Sequence, residues 1–404
     1  MCSSDLSNGA WGCGTWVASQ ATGGCCGPRP RITLSSLSFL YNAGRLRVPA
    51  LALALLLSHL AIGVPTVGSE TRWRWRARAT GSVIITQGDP GRLMRGDYEP
   101  IDLFFVVYHR PWETSLRRMI DGLAGVVDIQ VLYPDAGRAA RRFQRQVKRP
   151  CVDPRYMTVD TPWIRDYGPF QATDGGELLW LDYGYAVDRM ADDAVPAQLA
   201  HDHGALLSFE EPALDGGAVI SNGRGLCIMT ETSLAEAEVQ DRAARRRFAS
   251  SLGCRGLAVV PALPQETTGH IDVVGQFLDA RTLAFAEMTD AEGELLETAL
   301  EIVRDTAAAL GQPLRLVRVP MVSNGDVFYS YVNGTRVGDR FLIPSYSAID
   351  SAAQARAYEI LGQAMPGVQL LAIDADEMVT LGGAIHCITL GLKLPSGAHR
   401  CSAI

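Results

Sequence analysis

The chain has 404 residues, enough for one large domain or two small ones. Its 47% hydrophobic and 20% charged residues are those of a soluble globular protein. A net charge of −7 argues against a nucleic-acid binder and suits a cationic substrate.

Residues 1–44 do not read as part of a fold. Cys2, Cys13, Cys25 and Cys26 stand among Gly, Ser and Trp without periodicity. Cys2-Ser3-Ser4-Asp5-Leu6 is what the end of a common sequencing adapter spells in translation, so an artefactual or disordered extension is expected. Residues 45–69 have the three-part layout of a signal peptide. Arg45 and Arg47 precede an apolar run over 48–64, and Gly68-Ser69 supplies small residues for cleavage. The run is short for a bilayer span and carries His59, with Pro49 and Pro65 near its ends. A secreted or periplasmic protein with no stable membrane insertion is expected. Beyond the leader stand Cys151, Cys227, Cys254, Cys387 and Cys401. An odd number leaves at least one thiol unpaired, and if that is Cys387 the other four allow three pairings.

From Tyr98 onward apolar runs and helical periodicity alternate. Strands are expected over 103–108, 129–133, 178–183, 257–260, 314–319, 341–343 and 368–373. Helices are expected over 112–126, 136–147, 194–203, 235–252, 292–310 and 351–365. No long linker interrupts them, so 98–404 reads as one α/β domain.

Polar clusters punctuate this alternation: Trp163-Ile164-Arg165-Asp166-Tyr167-Gly168-Pro169, Asp215-Gly216-Gly217, Thr268-Gly269-His270-Ile271-Asp272, Tyr331-Val332-Asn333-Gly334 and Gly382-Gly383-Ala384-Ile385-His386-Cys387-Ile388-Thr389. They recur about every 50–60 residues, as repeated units about one axis would, each delivering a polar loop to a shared centre. Cys387 alone would read as a small buried hydrophobe. With a histidine and surplus carboxylates it suggests covalent catalysis through sulfur. A cysteine peptidase needs one acid to orient its histidine. Asp166, Asp215 and Asp272 exceed that need and fit a planar guanidinium. A bound guanidinium would also stabilise a thiolate, and no metal or organic cofactor is called for.

These motifs, in this order, resemble those of the agmatine deiminase and bacterial-type peptidylarginine deiminase family, over about residues 101–392. The resemblance implies the pentein fold, an α/β propeller of five blades with pseudo-fivefold repeats. It implies Cys387 as nucleophile, His270 as acid and then base, and Asp215 as the partner of His270, at a position where many relatives carry Glu. It implies Asp166 and Asp272 as the guanidinium clamp and Asn333 as a residue lining the site. Trp163 is expected in the pocket wall or in ordinary core packing, and Arg165 as a structural partner for an acid. His386 is expected to face away along a strand. Arg189 lies in a segment resembling the loop where peptidylarginine deiminases carry arginines for the substrate carboxylate. Leu390-Gly391-Leu392 lacks the glutamines typical of agmatine deiminases.

The expected reaction is therefore hydrolysis of arginine, peptidyl or C-terminal in an arginine-containing peptide, to citrulline and ammonia through a covalent cysteine thiouronium. Hydrolysis of agmatine to N-carbamoylputrescine is the alternative. An exported, non-catalytic guanidinium-binding protein is a third reading. If the leader is cut as its layout predicts, N-terminal sequencing of the exported chain will begin near Glu70; retention of the 48–64 run would mean an anchored protein.

Overall fold

The strand Leu103–Val107 is apolar at every position because both of its faces are covered. Phe104 and Val106 share a core with Leu116, Met119 and Ile120 of the helix Glu113–Leu123. Phe105 and Val107 share another with Ile164, Trp180 and Leu199. A computed structural model describes residues 81–86, 91–186 and 188–395 of the chain, all within the compact unit Arg74–Ile404. The expected extension, the leader and Cys401 lie outside those residues.

One connectivity recurs five times: two antiparallel strands, a helical crossover, then a strand parallel to the second. Phe170–Asp174 and Glu177–Tyr183 are followed by the helix Val195–His203 and the parallel strand Leu207–Glu210. The next unit pairs Val219–Ser221 with Leu226–Thr230 and adds Gly256–Val260. The third pairs Gly275–Asp279 with Thr282–Glu287 and adds Arg315–Pro320 after the helix Ala291–Ala309. The fourth pairs Thr335–Val337 with Arg340–Ser345 and adds Gln369–Asp374 after Ser351–Ala364. The last unit joins the two ends of the described chain. Thr389–Leu392 runs antiparallel to Leu103–Val107, which is extended by the parallel strands Asp128–Tyr133 and Val152–Tyr156.

Aspartates start three of the crossover helices, each accepting from backbone N–H groups of the first turn: Asp241, Asp290 and Asp350. The helix expected over 235–252 is two helices, Glu231–Glu236 and Arg242–Leu252. Between them Glu238 takes a positive φ of 53° and Asp241 caps the second. Two strands ahead of Tyr98 also belong to the sheets: Ser82–Ile85 lies antiparallel to Gly256–Val260, and Arg92–Met94 to Phe170–Asp174. Cys227 and Cys254 form a disulfide, Cys151 is disulfide-bonded as well, and Cys387 is free. Among the described residues no helix is long and apolar enough to cross a membrane.

The last strand is clasped by a buried carboxylate. Asp102 lies 2.7 Å from Lys393 Nζ and accepts from the Leu394 N–H at 2.8 Å, and Gln171 exchanges two hydrogen bonds with the Lys393 backbone. Asp102→Ala should cost about 1–3 kcal/mol, a fall of a few degrees in Tm measured by calorimetry. It should also loosen the segment that carries Cys387. An unchanged Tm would mean that the clasp contributes nothing to closure.

Candidate active site

The five polar clusters share one structural position: each forms the turn just ahead of the first strand of a unit. Asp166 is on the short helix Ile164–Tyr167, before Phe170–Asp174. Asp215 precedes the turn Gly216–Ala218 and the strand Val219–Ser221. His270 precedes the turn Ile271–Val273, which carries Asp272 and leads to Gly275–Asp279. Asn333 lies before Thr335–Val337, and Cys387 in the turn before Thr389–Leu392.

These turns bring the expected residues together. His270 Nδ1 stands 3.7 Å from Asp166 Oδ1, and His270 Nε2 stands 3.4 Å from Asp215 Oδ2, so the shorter acid does reach the imidazole. Cys387 Sγ is 3.6 Å from Asp272 Oδ2 and 3.4 Å from Asn333 Nδ2. Asn333 also fixes the cysteine turn: its Oδ1 accepts from the Ala384 and His386 N–H groups, and its Nδ2 donates to the Asp272 carbonyl. Gly217 makes the convergence possible. A Cβ there would stand 2.6 Å from His270 Nδ1 and 3.1 Å from both Asp166 Oδ1 and Asp272 Oδ2, while its N–H donates to Asp166 at 3.2 Å.

Trp163 lies at the thiol, with one edge on the core. A Cβ on Gly383 would be 2.7 Å from the Trp163 ring and 3.1 Å from Cys387 Sγ, and Trp163 meets Trp112 edge to face. Arg189 is one residue removed: it donates to the Tyr185 hydroxyl at 3.0 Å and lies over that ring. Tyr185 was not singled out in the sequence, yet Asp166 and Asp215 are close enough to add to the burial that raises its phenol.

Two further residues went unrecognised in the sequence. His386 does not face away, because residues 385–388 form a turn and not a strand. Its ring is buried and its Nδ1 lies 2.7 Å from Asp272 Oδ2. Its Nε2 is 3.4 Å from Asp97 Oδ2, and Asp97 accepts from Arg165 at 2.9 Å. Arg165 is thus the structural partner of an acid, as expected. Asp97 sits alone in a loop that no motif marks. The proximity of His386 to Cys387 was the one available signal.

The charges sort themselves under burial. Desolvation raises the Asp166 carboxyl to about 7 against the pull of His270, with Asp215 and Asp272 adding to the rise. Burial also pushes Asp272 up, but the hydrogen bond and charge of His386, with His270 and Arg165, hold it below the usual range. Burial opposes a charged His270, yet Asp215, Asp166 and Asp272 bring it up to about 10. Burial, Asp272 and Asp166 push the Cys387 thiol well above its ordinary value. The resting site is therefore a protonated thiol and an imidazolium beside an ionised Asp272, with Asp166 partly protonated at neutral pH. Asp272 Oδ1 is buried without a hydrogen-bond partner. Among the described residues no group of His, Cys, Asp and Glu is arranged to hold a metal ion.

The family model for Porphyromonas-type peptidyl-arginine deiminase matches residues 107–392. A similar sequence is the agmatine deiminase of Pseudomonas putida, 25% identical over 61% of this chain and 78% of that one. Similar solved structures include the agmatine deiminase of Enterococcus faecalis (TM-score 0.66, 19% identity, covering 77% of this chain and 99% of that one). Another is that of C. jejuni (TM-score 0.63, 17% identity, covering 74% and 96%). These likenesses give the fold as the five-unit pentein architecture.

The electrostatics predict a sluggish thiol. In the free protein, alkylation of Cys387 by iodoacetamide should be slow at pH 7 and accelerate only at pH values above the range of an ordinary thiol. Asp272→Asn or Asp166→Asn should speed it several-fold, roughly, because a like charge beside the thiolate is removed. Fast alkylation of the parent protein at pH 7, followed by mass spectrometry, would contradict this assignment.

Proposed function

The chain belongs to the Porphyromonas-type peptidyl-arginine deiminase family, and from that we propose that it hydrolyses a guanidinium group to a ureido group and ammonia, with agmatine as substrate. The observation that carries the reaction is the meeting of Cys387, Asp272, Asp166 and His270 from three separate turns around a space lined by carboxylates. A planar cation seated between Asp166 and Asp272 would satisfy the unpartnered Asp272 Oδ1 and replace the repulsion that keeps the thiol protonated with attraction.

In this reading the bound cation lowers the cost of ionising Cys387, whose proton leaves to solvent, and the thiolate attacks the guanidinium carbon to give a neutral tetrahedral adduct. The His270 imidazolium donates its proton to one amino nitrogen, which leaves as ammonia, and a thiouronium cation remains on sulfur. Neutral His270 then takes a proton from water as its oxygen attacks the same carbon. Collapse restores the thiolate and releases the ureido product, and the hydroxyl proton leaves with ammonia as ammonium. Asp215, 3.4 Å from Nε2, orients His270 and supports its charge.

Two supports favour agmatine over arginine, which the sequence reading had put first. The similar sequences carry the name of agmatine deiminase, while the similar structures include an arginine and a peptidyl-arginine deiminase beside agmatine deiminases. Glu266 and Asp326 line the small cleft beside Asn333 and Gly383, where they suit an ammonium tail and would repel a carboxylate. Arg189, the expected carboxylate ligand, is engaged with Tyr185. The arginine reading retains the family's description in its favour. Export stays part of the proposal: the Cys227–Cys254 bridge supports it, since such bonds persist in oxidising compartments.

Ammonia release should be measured from agmatine, free arginine and a peptide with C-terminal arginine. Agmatine is expected to be turned over fastest; a preference for either arginine substrate restores the first reading, and no release from any leaves a guanidinium-binding protein. Cys387→Ser should abolish turnover with the fold intact. Asp166→Asn and Asp272→Asn should each lose at least about tenfold in kcat/KM, since charge-assisted bonds are worth roughly 1.5–3 kcal/mol each. Asp166, up to about 7, must be ionised to receive the cation, so kcat/KM should fall about tenfold per pH unit below that value. Above about 10 it should fall again as His270 loses its proton. Activity undiminished at pH 5 would remove Asp166 from the clamp.

A further inference from the structure

We propose that His386 is a positioning residue for the reaction, a cationic link in the sequence Arg165–Asp97–His386–Asp272 that keeps the Asp272 carboxylate ionised and aimed beside Cys387. The proposal rests on the reading of Asp272 as a guanidinium clamp.

Geometry carries it. The backbone N–H of His386 is held by the Asn333 carbonyl at 3.1 Å and by Asn333 Oδ1 at 3.2 Å, which fixes where the ring stands. Each ring nitrogen then faces a carboxylate oxygen: Nδ1 hydrogen-bonds Asp272 Oδ2 at 2.7 Å, and Nε2, buried and without a hydrogen bond, lies 3.4 Å from Asp97 Oδ2 as a charge contact. A neutral imidazole has one N–H and one lone pair, so it would turn that lone pair on one of the two acids. Only the imidazolium presents a proton to both. Asp97 is answered by Arg165 Nη1 at 2.9 Å, and the Arg165 N–H donates to the Cys387 carbonyl at 3.1 Å, which closes the loop back to the thiol. The charges alternate along the sequence, positive to negative, from Arg165 to Asp272. His386 and Asp272 are 2% and 1% exposed, so neither can exchange its partner for water.

Every charged group packed around His386 enters this balance. The turn Ile271–Val273 brings Asp272, with His270 ahead of it. The loop after Arg92–Met94 brings Asp97. The helix Ile164–Tyr167 brings Arg165 and Asp166, and the turn of His386 itself carries Cys387. Burial and Arg165 oppose a charged imidazole, but the two carboxylates outweigh them and raise it above the ordinary histidine value.

The consequence is a division of labour in the clamp. Two carboxylates sharing a site cannot both stay ionised at no cost, and one takes up a proton more readily. Asp166 does so here. Asp272, which also stands against the thiol, is spared because His386 neutralises it locally. Asp97 lies ahead of the 107–392 segment that the family model matches, so one member of the link comes from outside that segment.

The test is a pH profile with agmatine. His386→Gln keeps an amide donor but no charge. The acid limb of kcat/KM should move up by about one unit, so that activity at pH 6 falls about tenfold further than at pH 8.5. Asp97→Asn should shift the limb the same way by less. A merely structural role would lower kcat/KM by the same factor at every pH, and that result, from either variant, would overturn the proposal. If His386→Gln fails to fold, Asp97→Asn and a direct measurement decide. In resting protein with 15N-labelled imidazoles, His386 should show both ring nitrogens protonated at pH 7.5, assigned by its shift in Asp97→Asn. A neutral tautomer there would also overturn it. The NMR readout needs no turnover: if no guanidinium compound is hydrolysed, the functional reading fails while the charge of His386 is still decided.

Discussion

Like charges crowded beside a thiol in a buried space set the terms for everything else in this molecule. Water would screen Asp166, Asp215 and Asp272 from one another; burial removes that screening and makes every neighbour count. The site responds by distributing protons. The thiol keeps its own, Asp166 is poised near neutrality, His270 carries a charge, and Asp272 stays ionised beside His386. A site in this condition selects by charge before shape. A planar cation relieves its repulsion, whereas a neutral urea of the same outline does not, so substrate is held more firmly than product. The same logic makes thiol activation depend on the guest, which spares the protein a standing reactive thiolate.

The scaffold supplies the crowding through one repeated device. A turn ahead of the first strand in each unit offers backbone N–H groups and short side chains at a fixed place, backed by a sheet and a helix that do not move. Precision of this kind favours rigid elements over long loops. The Asp215-Gly216-Gly217 turn shows how tight the arrangement is: a Cβ on Gly216 would overlap the Arg165 carbonyl at 1.8 Å, and one on Gly217 would fill the gap between His270 and the two clamp acids.

Much of this was legible in the sequence, for reasons that differ by element. The long helices Ala291–Ala309 and Ser351–Ala364 announce themselves by periodicity and by aspartate caps. The first strands do not: Val219–Ser221 and Thr335–Val337 have three residues each, too few for an alternation to register. Cys387, His270, Asp166, Asp272, Asp215 and Asn333 were readable because each sits in a motif rich in glycine. Arg189 was readable only by analogy, and the structure gives it to Tyr185. His386 was misjudged because alternation along a strand was assumed where the chain turns. Asp97 was invisible, because its partner Arg165 lies 68 residues away and only the folded chain brings them together.

The pairing of Thr389–Leu392 with Leu103–Val107 has a consequence for synthesis. The clasp from Asp102 to Lys393 spans 291 residues, so the unit containing the thiol cannot close until Lys393 itself has been made. Four units can form as their residues emerge, each from contacts within its own hairpin and crossover, while Leu103–Val107 waits with an unpaired edge for its last partner. A chain interrupted between Asp272 and Cys387 would carry the acids and the imidazole but neither the catalytic sulfur nor the closing strand. Such a fragment would be chemically inert and prone to aggregate through that open edge.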